Sequence, residues 1–255
     1  MQLQGRVALV TGAGSGIGHA IAERFGAEGA CVCVNYLGYA DEAKELAQKL
    51  TEQGHRSIAV QADVTNREQV QSMVDRTVKE LGGLDILVNN AGIEKSVPFL
   101  DIDDETWERI VSVDLRGVFI CSQVGGRAMR DSGKGGSIIN ISSIHEDYTF
   151  PGYTPYCAAK GGVRMLMRNA ALELAKHKIR VNNIAPGAIA TPINEGTLHD
   201  PEKMEALRNI VPLGGMGQPG QVASVAVFLA SDESSYVTGS TYYVDGGLVR
   251  YALAE

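Results

Sequence analysis

The tightest constraint on this chain lies near its start. Residues 6–11 (RVALVT) form a short apolar run, and Gly12-Ala13-Gly14-Ser15-Gly16-Ile17-Gly18 follows at once. A helical pattern then covers about 17 to 28, with Ile17, Ile21 and Phe25 on one stripe. A strand that passes into a helix through such a turn needs the backbone freedom of glycine. The helix N-terminus behind it favours negative charge. The spacing departs from Gly-x-Gly-x-x-Gly and reads Thr-Gly-x-x-x-Gly-x-Gly, through Thr11, Gly12, Gly16 and Gly18. Its position between a first strand and a first helix makes it a phosphate cradle rather than a bare turn.

The same alternation runs to the end of the chain. Apolar strands are expected at 31–35, 57–61, 84–88, 136–142, 179–185 and 240–244. Helices are expected at 41–53, from the Asn66 cap to about Leu81, at 103–131 with Asp103 or Asp104 as cap, from Thr154 to about His177, and at 220–231. Thr154-Pro155 reads as N-cap and first helical residue. This pattern predicts an α/β fold: one doubly wound, Rossmann-like domain over 1–255, a parallel sheet with helices on both faces. The stretch 186–220 is too long for an ordinary connection. It reads as a substrate-loop insertion with a short helix of its own, PEKMEALRN.

The net charge of −7, with no basic block, argues against nucleic acid or an anionic membrane as partner. No apolar run is long enough for a membrane span or a signal segment. Cys31, Cys33, Cys121 and Cys157 offer no Cys-x-x-Cys, which points to a reducing, cytoplasmic setting without disulfides. The five histidines are scattered, and no metal site is expected.

Candidate chemistry sits at 140–160. Tyr156 and Lys160 are at i and i+4 on the first turns of one helix, and Ser143 lies at the end of the preceding strand. A free phenol has a pKa of about 10, and a nearby ammonium favours its ionised form. Tyr156 is then the acid/base, Lys160 its electrostatic partner and Ser143 the holder of a substrate oxygen. The spacing alone is a weak signal, so support must come from other strand ends. Asp63 follows the third strand, within reach of an adenine edge. Asn90-Ala91-Gly92 follow the fourth, where small residues let a cofactor lie against the sheet.

TGAGSGIG, Asp63-Val64, NNAG, Ser143, Tyr156-x-x-x-Lys160 and Pro186-Gly187 with Thr191 occur in one order and at one spacing. Together they resemble the short-chain dehydrogenase/reductase family over essentially the whole chain. The resemblance implies an oxidoreductase that moves a hydride between NAD(P) and an alcohol or carbonyl carbon, seven parallel strands, and a homotetramer. Its cofactor residues would be Gly12, Ser15, Gly16, Ile17, Gly18, Asn35, Asp63, Val64, Asn90, Ala91, Gly92, Tyr156, Lys160, Pro186, Gly187, Ile189 and Thr191. Lys160 would hold the nicotinamide ribose, and Thr191 with the backbone near Ile189 the carboxamide.

Two departures stand out. The family's Asn-Leu-x-Gly reads Asp114-Leu115-Arg116-Gly117 here, which leaves Asp114 either in the proton relay of the catalytic set or in a helix kink. The second strand ends Asn35-Tyr36-Leu37-Gly38, with no carboxylate to repel a 2′-phosphate and no base to attract one. Use of both NAD and NADP is expected.

Within the family, VNY at 34–36, AGIEKSVPF, SSIHE and PGAIATPIN resemble bacterial glucose 1-dehydrogenases. That likeness implies a sugar pocket with Glu94, His145 and Asn194 beside Ser143 and Tyr156; Glu94 and His145 as solvated loop residues are the other reading. The chain departs from those enzymes at 147–155 and at the C-terminal VRYALAE. A carbonyl or 3-oxoacyl-thioester reductase is the alternative enzyme, and an acyl-carrier partner would want a basic patch at the mouth, for which Arg127 and Arg130 are the candidates. A dinucleotide-binding sensor is the non-enzyme alternative.

Overall fold

The computed structural model describes residues 1–249. Seven parallel strands form one sheet in the order β3-β2-β1-β4-β5-β6-β7. They are β1 (Val7–Val10), β2 (Cys31–Tyr36), β3 (Ser57–Gln61), β4 (Ile86–Asn89), β5 (Gly136–Ile141), β6 (Ile179–Pro186) and β7 (Thr241–Val244). The helices are α1 (Gly16–Ala27), α2 (Ala40–Glu52), α3 (Arg67–Leu81), α4 (Asp104–Val111), α5 (Val118–Ser132), α6 (Thr154–Leu174), α7 (Glu195–Leu198), α8 (Pro201–Ile210) and α9 (Pro219–Ala230).

Alternate strand residues feed two apolar layers, as a period of two demands. Ala8, Val10, Val32 and Val34 pack with Ile21 and Phe25 of α1, Leu46 and Leu50 of α2 and Val222 and Val227 of α9. Val7, Leu9 and Cys33 pack on the other face with Val70 and Met73 of α3, Val124 of α5 and Met167 of α6. The doubly wound architecture is therefore as the alternation predicts. The order of strands reverses between β1 and β4, and ligands of such sheets bind at the carboxyl ends beside that reversal.

Three local departures bear on the site. The helix expected at 103–131 is interrupted: between α4 and α5 the backbone widens into a π-helical turn at Ser112–Gly117. Wide turns of this kind occur where one side chain must be redirected, and here Asp114 is turned inward and fully buried. Thr154 is the first residue of α6 rather than its cap, because the Tyr153 carbonyl accepts the Cys157 N–H (3.0 Å) and so takes the first helical bond. The 186–220 stretch carries two helices, α7 and α8, with Asp200 capping the second. Asn66 and Asp103 cap α3 and α4 as expected. Of the C-terminal departure, Arg250 to Glu255 lies outside the described residues.

Candidate active site

A cleft of about 1570 Å³ runs along the carboxyl edge of the sheet. At its β1 end the glycine turn forms a cradle. Gly12 has φ +60°, and a Cβ there would lie 2.9 Å from Ala91 Cα. Helix α1 starts at Gly16 and its Ser15 makes no side-chain cap, so first-turn N–H groups are left for an external anion. Asn90 fastens the turn to β4: its amide donates to the Thr11 and Gly12 carbonyls (2.9 and 3.0 Å), while Thr11 Oγ1 accepts from the Asn90 and Ala91 N–H groups. These features fit the pyrophosphate of a dinucleotide.

Every residue assigned above to cofactor or substrate lines this cleft except Gly18. A Cβ on Gly18 would meet Asn90 Nδ2 at 2.3 Å and the Gly12 carbonyl at 2.6 Å, so its place is in packing the cradle. Asn35 lines the cleft, but its amide is engaged by the protein. Nδ2 donates to the Val60 and Ala62 carbonyls (3.2 and 3.1 Å) and Oδ1 accepts the Gly12 N–H (3.2 Å). Asp63 turns one oxygen to Thr65, accepting from its N–H and hydroxyl. Thr191 and Pro192 close against Gly16, joining the insertion to the cradle.

The candidate reacting groups meet in this cleft. Ser143 ends the segment after β5, where its Oγ accepts the His145 N–H (3.2 Å), and it stands near enough to the Tyr156 phenol to favour its ionised form. Lys160 is buried, donates to the Ile141 carbonyl (3.2 Å), lies 3.2 Å from Asp114 Oδ2 and sits 5.3 Å from the centre of the Tyr156 ring. Asp114 Oδ1 accepts the Ile93 N–H (2.9 Å). The π-helical turn thus delivers a counter-ion to Lys160. Gly92 leaves the space this requires, since a Cβ there would lie 3.0 Å from Asp114 Oδ2 and 3.6 Å from Lys160 Nζ.

The electrostatics set the pull of Lys160 against burial. The Tyr156 phenol is held above its ordinary value: burial raises it, Lys160 and Ser143 pull it down, and Asp114 and Glu94 push it up. The lysine opposes burial without overcoming it. Burial works against the Lys160 ammonium too, but Asp114, Tyr156 and Glu94 outweigh it and keep Lys160 charged. Burial raises the Asp114 carboxyl in spite of Lys160. Burial and Asp114 also raise Glu94, which Lys160 opposes.

On the substrate side, Asn194 Nδ2 is committed to the Ile189 carbonyl (2.8 Å). His145 Nδ1 lies 3.0 Å from the Tyr148 carbonyl, so it carries the proton and leaves Nε2 as an acceptor. Burial lowers the His145 pKa, keeping the ring neutral. Its ring stacks on Phe150 (4.4 Å), which stacks on Tyr153 (4.0 Å). The sequence reading missed this aromatic wall, although aromatics at 148, 150, 153 and 156 in one short stretch were a signal. It also missed Tyr39, which lines the cleft beside Leu37. Arg127 and Arg130 are far from the mouth: α5 runs back toward the amino edge of the sheet, where Arg130 pairs with Asp131 (2.8 Å).

A family model described as enoyl-(acyl carrier protein) reductase matches residues 12–249. The chain is 45% identical over 249 residues to 3beta-hydroxysteroid dehydrogenase 1 of Eggerthella lenta, covering 98% of this chain and 95% of that one. It is 38% identical to glucose 1-dehydrogenase 2 of Bacillus subtilis, covering 98% and 96%. A gluconate 5-dehydrogenase from Burkholderia cenocepacia, solved with NADP and tartrate, superposes with a TM-score of 0.92 at 36% identity, covering 98% and 97%. With the fold and the Ser143–Tyr156–Lys160 cluster, these likenesses place the chain in the short-chain dehydrogenase/reductase family, the NAD(P)-dependent oxidoreductases that act on CH–OH or carbonyl groups.

Proposed function

We propose that the enzyme interconverts a secondary alcohol and its ketone, and that the reacting carbon is carried on an apolar ring. The observation that carries the reaction is the meeting of Ser143, Tyr156 and Lys160 at the cleft centre. Bound NAD(P) supplies the hydride acceptor or donor. Tyr156 takes the hydroxyl proton in oxidation and returns it in reduction, Ser143 holds the oxygen, and Lys160 keeps a positive charge beside the phenol. Gly12, Ser15, Gly16 and Ile17 would hold the pyrophosphate, with Thr191 and the Ile189 backbone at the nicotinamide end.

What supports an apolar ring is the His145–Phe150–Tyr153 wall, together with Ile193, Leu207 and Met216 of the insertion facing the same cleft. D-glucose is the second reading. Its support is the Glu94 carboxylate on the cleft wall, which suits sugar hydroxyls, but the Asn194 amide and His145 Nδ1 expected to help are already bonded within the protein. A 3β-hydroxysteroid and D-glucose, compared by kcat/KM, test the choice. A steroid preference is expected, and a glucose preference overturns the apolar-ring reading.

Use of both cofactors rests on Leu37 and Tyr39, which stand at the adenosine end where a carboxylate or a base would discriminate. A preference above about a thousandfold, about 4 kcal/mol, contradicts it. A homotetramer is the proposed assembly, supported by the exposed apolar residues Phe119, Met165 and Leu172 on neighbouring helices. The four cysteines are all free, which supports a cytoplasmic setting. We read 1–255 as one domain, with 186–220 as the cover of its substrate site.

A further inference from the structure

A file of buried polar side chains crosses the sheet beside the reacting groups. Asn89 of β4, Asn140 of β5, Asn183 of β6 and Thr241 of β7 are partners on one rung, each facing the next. Glu146, in the turn after β5, closes the file: its Oε2 accepts from Asn183 Nδ2 (3.0 Å) and its Oε1 from Thr241 Oγ1 (2.7 Å). Its side chain is fully buried, and Arg164 of α6 stands 3.7 Å away as counter-ion.

The donors all point one way. An ionised carboxylate can only accept, so Asn183 must present its NH₂ to Glu146. That leaves Asn183 Oδ1 to accept from Asn140 Nδ2 (2.9 Å), and Asn140 Oδ1 to accept from Asn89 Nδ2 (2.8 Å). Asn89 Nδ2 also donates to Ser122 Oγ (2.8 Å), and its Oδ1, at the far end, has no partner among the described residues. One charge thereby orients three amides. A glutamine in its place would let the file run in either sense.

The file touches the active site through its neighbours. Ile141, next to Asn140, offers the carbonyl that receives Lys160 Nζ. Asn90, next to Asn89, holds the glycine turn. Glu146 N–H bonds the Ser143 carbonyl (3.0 Å), so the residue that directs the file also closes the turn presenting Ser143.

We infer that Glu146 is a positioning residue for the proposed reaction. Its carboxylate sets the sense of the cross-strand file and so fixes the Ser143 turn and the Ile141 carbonyl against Lys160. The inference rests on the reading of Ser143 and Lys160 as reacting machinery and goes beyond it. The test uses the full chain with Glu146→Gln and the reciprocal pair Glu146→Gln/Asn183→Asp, in which the carboxylate moves one place along the file and accepts from both neighbours.

Glu146→Gln is expected to lower kcat about 10- to 100-fold through misplacement, with cofactor Kd and substrate KM within about twofold. The pair is expected to recover most of that loss. A folded Glu146→Gln with unchanged kcat, or a pair no better than the single variant, overturns the inference. If Glu146→Gln does not fold, Thr241→Val removes one donor from the carboxylate; it should lower kcat severalfold at unchanged cofactor Kd, and an unaltered kcat overturns the inference. Side-chain amide signals of Asn140 and Asn183 give a readout independent of turnover. The Asn140 signal should move in Glu146→Gln and return in the pair, in which residue 183 no longer carries an amide, even if no alcohol is turned over and the functional reading fails. Signals that stay in place overturn the directing role itself.

Discussion

Lys160 is an ammonium taken out of water; Asp114 is foremost among the groups that hold it charged there, and its Nζ also donates to the Ile141 carbonyl. Its field acts on a phenol that burial pushes the other way. Oxidation needs the ionised phenol, and a phenol held high is ionised only toward alkaline pH. The rate of alcohol oxidation is therefore expected to climb with pH through the alkaline range. Lys160→Met removes the group that pulls Tyr156 down, so the limb must move to still higher pH while maximal rate falls. A pH–rate profile checks this, and a limb displaced toward acid contradicts it. The i and i+4 spacing made Tyr156 and Lys160 legible as neighbours on one helix face, but their chemistry, and the part of Ser143, became legible only with the motifs at the other strand ends. The direction of the Tyr156 shift was not legible: it depends on burial and on Asp114 and Glu94, which approach from other elements. Asn35 is similar. Its strand-end position was readable, but the engagement of its amide by the Gly12, Val60 and Ala62 backbone was not.

Among the elements, the π-helical turn between α4 and α5 carries the most information. The sequence reads as a continuous helix there, since no proline interrupts 103–131. What overrides it is tertiary: Asp114 gains Lys160 and the Ile93 N–H only if the backbone widens. Asp114→Ala leaves a buried ammonium uncompensated and should cost about 3–5 kcal/mol in denaturant unfolding. Asp114→Asn, which still accepts from Ile93, should cost clearly less. An Asp114→Ala loss below about 1 kcal/mol would assign the pair no more than a surface ion pair contributes. The glycine turn was legible for the opposite reason. Its requirements are local, and the positive φ at Gly12 and Gly16 is what a strand running tightly into α1 demands.

For the whole molecule, the alternation of strands and helices determined a parallel sheet, but the strand order follows from how the crossovers wrap and became visible only in three dimensions. That order brings the ends of β1, β4, β5 and β6 to one edge, so residues from Gly12 to Thr191 line a single cleft. The outer helices leave Leu172 80% exposed and Met165 53% exposed one heptad apart on α6. That apolar stripe is where the proposed tetramer should bury its contact. Leu172→Glu is expected to reduce the assembly in light scattering at unchanged fold, whereas a wild type that is already monomeric contradicts the assembly. The central claim is the proton transfer at Tyr156. Nucleotide reduction by a panel of alcohols, in wild type and Tyr156→Phe, with cofactor affinity measured in parallel, tests it most directly. A loss of about 10²- to 10⁴-fold in kcat at unaltered cofactor Kd is the predicted result. Turnover that survives in Tyr156→Phe would contradict the mechanism.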